Sequence, residues 1–268
     1  MNLYEYNRNA WNLQSMEGCR WSTPFPDEEI ERARSGEWSV RLTPNRAVPA
    51  SWFPAHPRLE GIRVLALACG GGQQVPVFAA AGAEVTSFDA SDVQLEKDLE
   101  VCERHGLRVE AVQGDMADLS ALASGSFDLV FNPVSNVFAE RLEPIWRECH
   151  RVLEPGGRLL CGFMNPCFFL FDHGVLEETG EPRVVHRLPY SDLDSMNEEM
   201  LSQQLEAQLS IEFSHSWETQ IGGQCDAGLA ITGFYEDGWD EESTRLQQWM
   251  PMFAASCSVR WRTDADEA

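Results

Sequence analysis

The stretch Val64-Leu65-Ala66-Leu67-Ala68-Cys69-Gly70-Gly71-Gly72 decides the fold. A short apolar run that breaks into glycines and then into an amphipathic segment from Gln73 reads as a buried parallel strand, a tight turn and a helix. Glycines in such a turn let the backbone approach a ligand, and the free amides of the helix start attract polar or negative groups. Asp89 closes the next apolar run, 19 positions after Gly70, where a carboxylate accepts both hydrogen bonds of a ribose diol. A third run ends in Gly114-Asp115-Met116-Ala117-Asp118-Leu119, which offers a carboxylate to an adenine amino group and a backbone amide to a ring nitrogen. The glycines do not follow Gly-x-Gly-x-x-Gly: counting from Gly70 puts branched Val75 where close helix packing wants Gly or Ala, which argues against a pyrophosphate and makes a nicotinamide dehydrogenase a distant reading.

Working outward, short apolar runs predict strands at 63–68, 84–88, 108–113, 127–131 and 158–163, with helices at 73–81, 92–104 and 141–153, the last closed by Pro155-Gly156-Gly157. Before them lies a segment, 1–58, rich in tryptophan (Trp11, Trp21, Trp38, Trp52) and broken by Pro24, Pro26, Pro44 and Pro49. A helix is predicted there at 27–34, with Asp27 as its cap and Glu28 and Glu29 at its positive end. The segment reads as a helical lid, or as aromatic packing over one sheet face, ahead of a domain at 59–268. An insertion is expected at about 164–208, with a strand at 183–188 and a helix at 191–208. Beyond it come a regular stretch at 209–213, a helix at 217–227, a strand at 229–235, an acidic loop at 236–242 and a last strand at 253–259.

The formal charge of −23 repels phosphate backbones, so nucleic acid is not an expected partner. No stretch approaches a membrane span and the start is polar and aromatic, so a cytoplasmic protein is expected. Eight scattered cysteines without a Cys-x-x-Cys pair read as reduced thiols, with no metal. Lys97, alone of its kind, falls on a helix that reads as solvated.

In this order and spacing the blocks resemble those of class I S-adenosylmethionine-dependent methyltransferases, the small-molecule, type 11-like branch, over about 61–163. Gly70 and Gly72 fall on the last two glycines of the family's Val-Leu-Asp-Leu-Gly-Cys-Gly-Thr-Gly block, Asp89 on its ribose-binding acid, and Asp115 and Met116 on its adenine-side pair. Phe127 to Asn132 fall on its fourth strand, and Arg151-Val152-Leu153-Glu154-Pro155-Gly156-Gly157-Arg158-Leu159 on its turn into the fifth. The resemblance implies a doubly wound, Rossmann-like α/β fold with a seven-stranded sheet and one reversed strand. It also implies S-adenosylmethionine as cofactor and a cofactor site of Ala68, Gly70, Gly72, Gln73, Gln74, Asp89, Ala90, Asp115, Met116 and Asn132. Two positions depart from the family: Ala66 stands where an acid orients the methionine end, and Ala68 replaces the first glycine. Gln73, Gln74 or Ser39 is expected to serve that end instead, since an amide meets both ammonium and carboxylate.

Methyl transfer from a sulfonium is an in-line displacement, and a base is needed only for acceptors such as hydroxyls. The acceptor is expected to be a small molecule, its reacting atom (N, O, S or C) left open, as is association into oligomers. Asn132-Pro133 is followed by Val134 and Ser135 and so lacks the full Asn-Pro-Pro-aromatic motif of amino-group methylation. His215 is the candidate base, though as a surface or helix-end residue it reads at least as well; Trp38, Asn136, Tyr190 and His215 are candidates for the acceptor pocket. Phe163, Phe168, Phe169 and Phe171 with Tyr190 line that pocket or pack beneath the insertion. A module that binds S-adenosylmethionine or S-adenosylhomocysteine without transfer is the rival reading, with Ala66 as its main support.

Overall fold

The computed structural model describes residues 1–239 and 243–261. Among them, seven strands form one sheet in the order β3-β2-β1-β4-β5-β7-β6: β1 Arg63–Leu67, β2 Glu84–Asp89, β3 Val109–Gln113, β4 Phe127–Asn132, β5 Leu153–Met164, β6 Leu229–Asp237 and β7 Phe253–Arg260. The pairs from β3 through β5 are parallel, and β7 runs antiparallel to both its neighbours. The strand order reverses beside β1, so the carboxyl ends of β1 and β4 diverge there and leave a crevice.

Helices cover both faces: α1 Leu3–Met16, α2 Asp27–Ser35, α3 Gln74–Ala80, α4 Asp92–Arg104, α5 Glu143–Val152, α6 His173–Thr179, α7 Asp192–Ser195, α8 Glu198–Glu206 and α9 Gly223–Asp226. One core joins Val64, Ala66, Val75, Phe78 and Phe131 to Ile30, Trp38, Leu42 and Trp52 of the N-terminal segment. The other face packs Leu65, Leu67, Val130 and Phe163 against Trp146 and Cys149 of α5. At the amino ends of the strands, Arg63 donates from Nη2 to Asp128 (2.8 Å) and Glu154 (2.7 Å) and from its backbone N–H to Asp128 (2.7 Å), tying β1, β4 and β5 together.

The structure corrects several local expectations. Helix α1, unforeseen in the polar start, is capped by Asn2, whose side chain accepts from the Glu5 amide. Pro26, not Asp27, precedes the first turn of α2; Asp27 is already helical and pairs with Arg104 and His105. The 183–188 stretch makes a single bridge, Phe171 to Val184, and 209–213 only the bridge Ser191 to Phe213. The helix expected at 191–208 is split into α7 and α8, because Met196 is extended and Asn197 starts a fresh cap on the Met200 amide. Strand β5 starts at Leu153 and passes through Pro155-Gly156-Gly157 in an irregular register, where a helix end was expected. Lys97 is not solvated: its Nζ donates to the carbonyls of Ser15 (2.5 Å) and Ser22 (2.8 Å). The acidic loop at 236–242 lies partly outside the described residues. Among the described residues no helix is long and apolar enough to cross a membrane.

Candidate active site

A cavity of about 660 Å³ opens over the carboxyl ends of β1, β2 and β4. Its floor is the turn after β1, where Ala68 has φ 51°, Gly70 φ 72° and Gly72 φ 76°. Two of these are glycines for a steric reason: a Cβ on Gly70 would stand 2.3 Å from the Trp21 carbonyl oxygen, and one on Gly72 2.9 Å from the Pro24 ring. Residues 20–25 thus strap across the turn. Gln73 Nε2 holds the strap by donating to the carbonyls of Arg20 and Thr23, both at 2.8 Å, and the Phe25 amide donates to the Gly72 carbonyl. Behind the turn Asp98 of α4 accepts from the Gly72 amide and the Ser87 hydroxyl, both at 2.7 Å, and burial pushes its carboxyl up to about 7.

Asp89 ends β2 on the cavity wall and accepts from the Ser91 amide at 2.8 Å; burial raises it to about 6. Asp115 lies beyond β3, with one oxygen accepting from the Ala117 amide (2.8 Å). Above them α1 lays Leu3, Tyr4, Asn7, Arg8 and Trp11 along the cavity, at the three- and four-residue spacing of one helix face. Burial and the carboxylates of Asp115 and Asp89 hold the Tyr4 phenol above its ordinary value, so this helix reaches the Asp89 end. At the other end the wall is Pro133, Val134, Phe138, Met164, Glu212, Trp239 and Phe253.

Of the residues singled out from the sequence, the cavity gathers Ala68, Gly70, Gln73, Gln74, Asp89, Ala90, Asp115 and Met116. The others lie behind its lining. Gly72 turns its amide away to Asp98. Asn132 is buried and donates to the Leu67 carbonyl (2.9 Å) and Ser135 Oγ (2.8 Å), locking β4 to β1. Trp38 belongs to the core, with its indole N–H on the Pro57 carbonyl. Asn136 reaches the Cys161 sulfur, and Tyr190 stacks on Phe169 and donates to Asp192 (2.8 Å). His215 Nε2 faces the carbonyls of Asn136 (3.1 Å) and Ala139 (2.9 Å), and burial lowers its affinity for a second proton. Phe163, Phe168, Phe169 and Phe171 are packing residues under the sheet end and the insertion, absent from the lining. Sequence reasoning missed Asp98, Glu212 and the α1 face. The stripe on α1 was visible as a spacing, and Asp98 as a carboxylate among the buried positions Leu95, Val101 and Cys102.

A family profile described as a methyltransferase domain matches residues 65–161. An uncharacterized methyltransferase, YbaJ of Bacillus subtilis (strain 168), is 43% identical over 258 residues, 96% of this chain and 98% of that protein. The chain belongs to the S-adenosylmethionine-dependent methyltransferases. The enzyme's fold is that of an S-adenosylmethionine-dependent methyltransferase from Mesorhizobium loti, with a TM-score of 0.57 at 17% identity, over 78% of this chain and 94% of that one. It is also the fold of the [4+2]-cyclase SpnF, with a TM-score of 0.53 at 18% identity over 76% and 77% of the two chains. S-Adenosylmethionine is the enzyme's cofactor. The cavity suits it in size and in donor set, with two carboxylates and a glycine turn at one end and apolar walls at the other.

Proposed function

We propose that the enzyme transfers a methyl group from S-adenosylmethionine to a small organic acceptor held in the same cavity, by in-line displacement. The observation that carries this reading is the continuity of the cavity: Asp89 and Asp115 at one end and Phe138, Met164, Trp239 and Phe253 at the other line one continuous space. The sulfonium supplies an activated methyl group, and the chain's own work is alignment and exclusion of water.

In this reading Asp89 accepts the ribose hydroxyls, Asp115 the adenine amino group, and Met116 packs on the base. Ala66, within β1, is a fully buried core residue, so the methionine end receives no carboxylate from that position. Arg41 takes over, as a guanidinium for the amino acid's carboxylate; its backbone is fixed by Gln74 Oε1 at 3.3 Å. Gln73 contributes indirectly, because its amide N–H groups already hold the strap. The strap and α1 close over the bound nucleoside and keep solvent from the transfer path.

Calorimetry with S-adenosylhomocysteine tests the cofactor half. Asp89→Ala removes two charge-assisted hydrogen bonds and is expected to weaken binding about 100-fold; equal affinity would overturn it. Incubation with methyl-labelled S-adenosylmethionine and a low-molecular-mass cell extract tests the transfer half, which fails if all label stays on the cofactor.

A further inference from the structure

The cavity wall carries a half-buried carboxylate, that of Glu212, which no described residue hydrogen-bonds or pairs with; Glu140 on the same lining is exposed to solvent. We propose that Glu212 is the general base of the reaction, and that the acceptor is therefore methylated on a hydroxyl oxygen; this rests on the methyl-transfer reading above.

Glu212 sits in a segment pinned on both sides. Asn7 of α1 accepts from the Ile211 amide (2.8 Å) and donates to the carbonyls of Ile211 (3.0 Å) and Phe138 (3.1 Å). The Phe213 amide donates to the Val137 carbonyl at 2.7 Å. From the other side Asp192 accepts the Glu212 amide at 2.7 Å and its own amide donates to the Glu212 carbonyl at 3.1 Å. The alternation that buries Ile211 and Phe213 leaves Glu212 on the cavity wall beside Val137 and Phe138. Its carboxylate accepts no hydrogen bond and makes no ion pair with any described residue, although the backbone carrying it is held at every adjoining position.

The surroundings suit a base. Burial, helped by the negative charge of Asp192 behind it, pushes Glu212 up to about 7, so that near neutral pH it is both available as carboxylate and strong enough to take a proton. Asp192 is itself fixed by the Tyr190 hydroxyl (2.8 Å), and the other charged groups on this part of the wall are Arg8 of α1 and Glu140 and Arg141 after Phe138. His215, three residues on, does not line the cavity; it is buried behind the wall with its Nε2 against the Asn136 and Ala139 carbonyls.

The chemistry of the acceptor follows from the base. A neutral amine attacks with a free lone pair and a thiol ionises unaided, whereas a hydroxyl must lose its proton as the new bond forms. A permanently charged acceptor would call for a carboxylate ionised across the working range, which a group titrating near neutrality is not. In the step itself the hydroxyl oxygen bonds to the methyl carbon, and the carbon–sulfur bond breaks with its electron pair left on sulfur. The hydroxyl proton passes to a Glu212 oxygen, and solvent removes it after the methyl ether leaves.

The test uses 4-nitrophenol, whose hydroxyl ionises near neutrality and whose ionised form is coloured, titrated into the full-length enzyme saturated with S-adenosylhomocysteine. A hydroxyl shared with Glu212 binds with exactly one proton between them. Affinity in the wild type is therefore expected to peak near pH 7 and to fall about tenfold per unit on either side. Glu212→Gln should lose the acidic limb and Glu212→Asp should keep it. Asp89 and Asp98 also titrate in this range, and both are present in all three proteins, so the difference between variants isolates Glu212. An acidic limb that survives in Glu212→Gln, no binding at millimolar probe, or tighter binding of benzylamine that Glu212→Gln weakens would each overturn the assignment. Affinity for S-adenosylhomocysteine is measured in the wild type first: its absence refutes the cofactor reading, not the role of Glu212.

Discussion

At the scale of the residue, Ala68 is where the cavity floor carries backbone strain; among the described residues Gln208, outside the cavity, is the other non-glycine with a positive φ. The Ala68 φ of 51° lies in the left-handed region, which a Cβ makes costly by about 1–2 kcal/mol. The strain is held by the turn: the Ala68 amide donates to the Phe88 carbonyl at 2.8 Å, and Gly70 is wedged under the Trp21 carbonyl. Ala68→Gly should therefore stabilise the protein by about 1 kcal/mol, read as a shift in the denaturation midpoint. A destabilised variant would mean that the Ala68 methyl packs on something worth more than the strain. The same turn explains why both glycines matter beyond ligand approach, since each admits a piece of the strap.

At the scale of the element, the strap and α1 together line one side of the cavity, the lid of the proposed function, and their attachment runs through a few side chains. Lys97 Nζ bridges the Ser15 and Ser22 carbonyls, the Ser22 hydroxyl donates to Gln94 (2.8 Å), and Asn12 donates to Asp92 (2.7 Å) at the start of α4. A lone lysine thus ties the end of α1 to the strap from the far side of the glycine turn. Lys97→Met removes two charge-assisted bonds, weakening the closed lid by about 2 kcal/mol. The expected readout is S-adenosylhomocysteine dissociation at least tenfold faster in stopped flow. An unaltered off-rate would show that the lid closes without this tie.

At the scale of the whole molecule, charge sets the response to pH. Asp98 and Glu212 titrate near 7 and Asp89 near 6, all raised by burial, so the folded state keeps protons that the unfolded chain releases. Stability from these groups is present at low pH and is lost as pH rises from the ordinary carboxylate range through about 7. The overall charge of −23 acts in the same sense. His173 and His215, lowered by burial, act oppositely and cost stability below their ordinary value near 6.5, while Asp128 and Glu148, lowered by Arg63 and Arg151, matter only at more acid pH. The unfolding temperature should thus be about 3 °C or more higher at pH 6 than at pH 8, with a smaller difference in Asp98→Asn. A temperature independent of pH over that range would contradict the burial of these three carboxylates.

The order of strands and helices from Arg63 to Met164 and the placing of Asp89 and Asp115 at strand ends were legible in the sequence. Buried parallel strands are continuous apolar runs, and a ligand turn needs glycine at fixed places. The split of the insertion into α7 and α8 was not legible, because local caps at Ser191 and Asn197 outweighed a helical average. The cavity wall around Glu212 was not legible either. His215 and Tyr190 looked like chemistry but are satisfied within the protein, while Glu212, one polar residue in an alternating run, acquires its meaning from Asn7, 205 positions away, and from Asp192. Sequence by itself determined the glycine turn after β1, whose requirements are local backbone conformation and spacing. Only the tertiary structure decided that Glu212 stands half-buried on the cavity wall without a partner among the described residues, because burial and hydrogen-bond satisfaction depend on what the rest of the chain brings alongside.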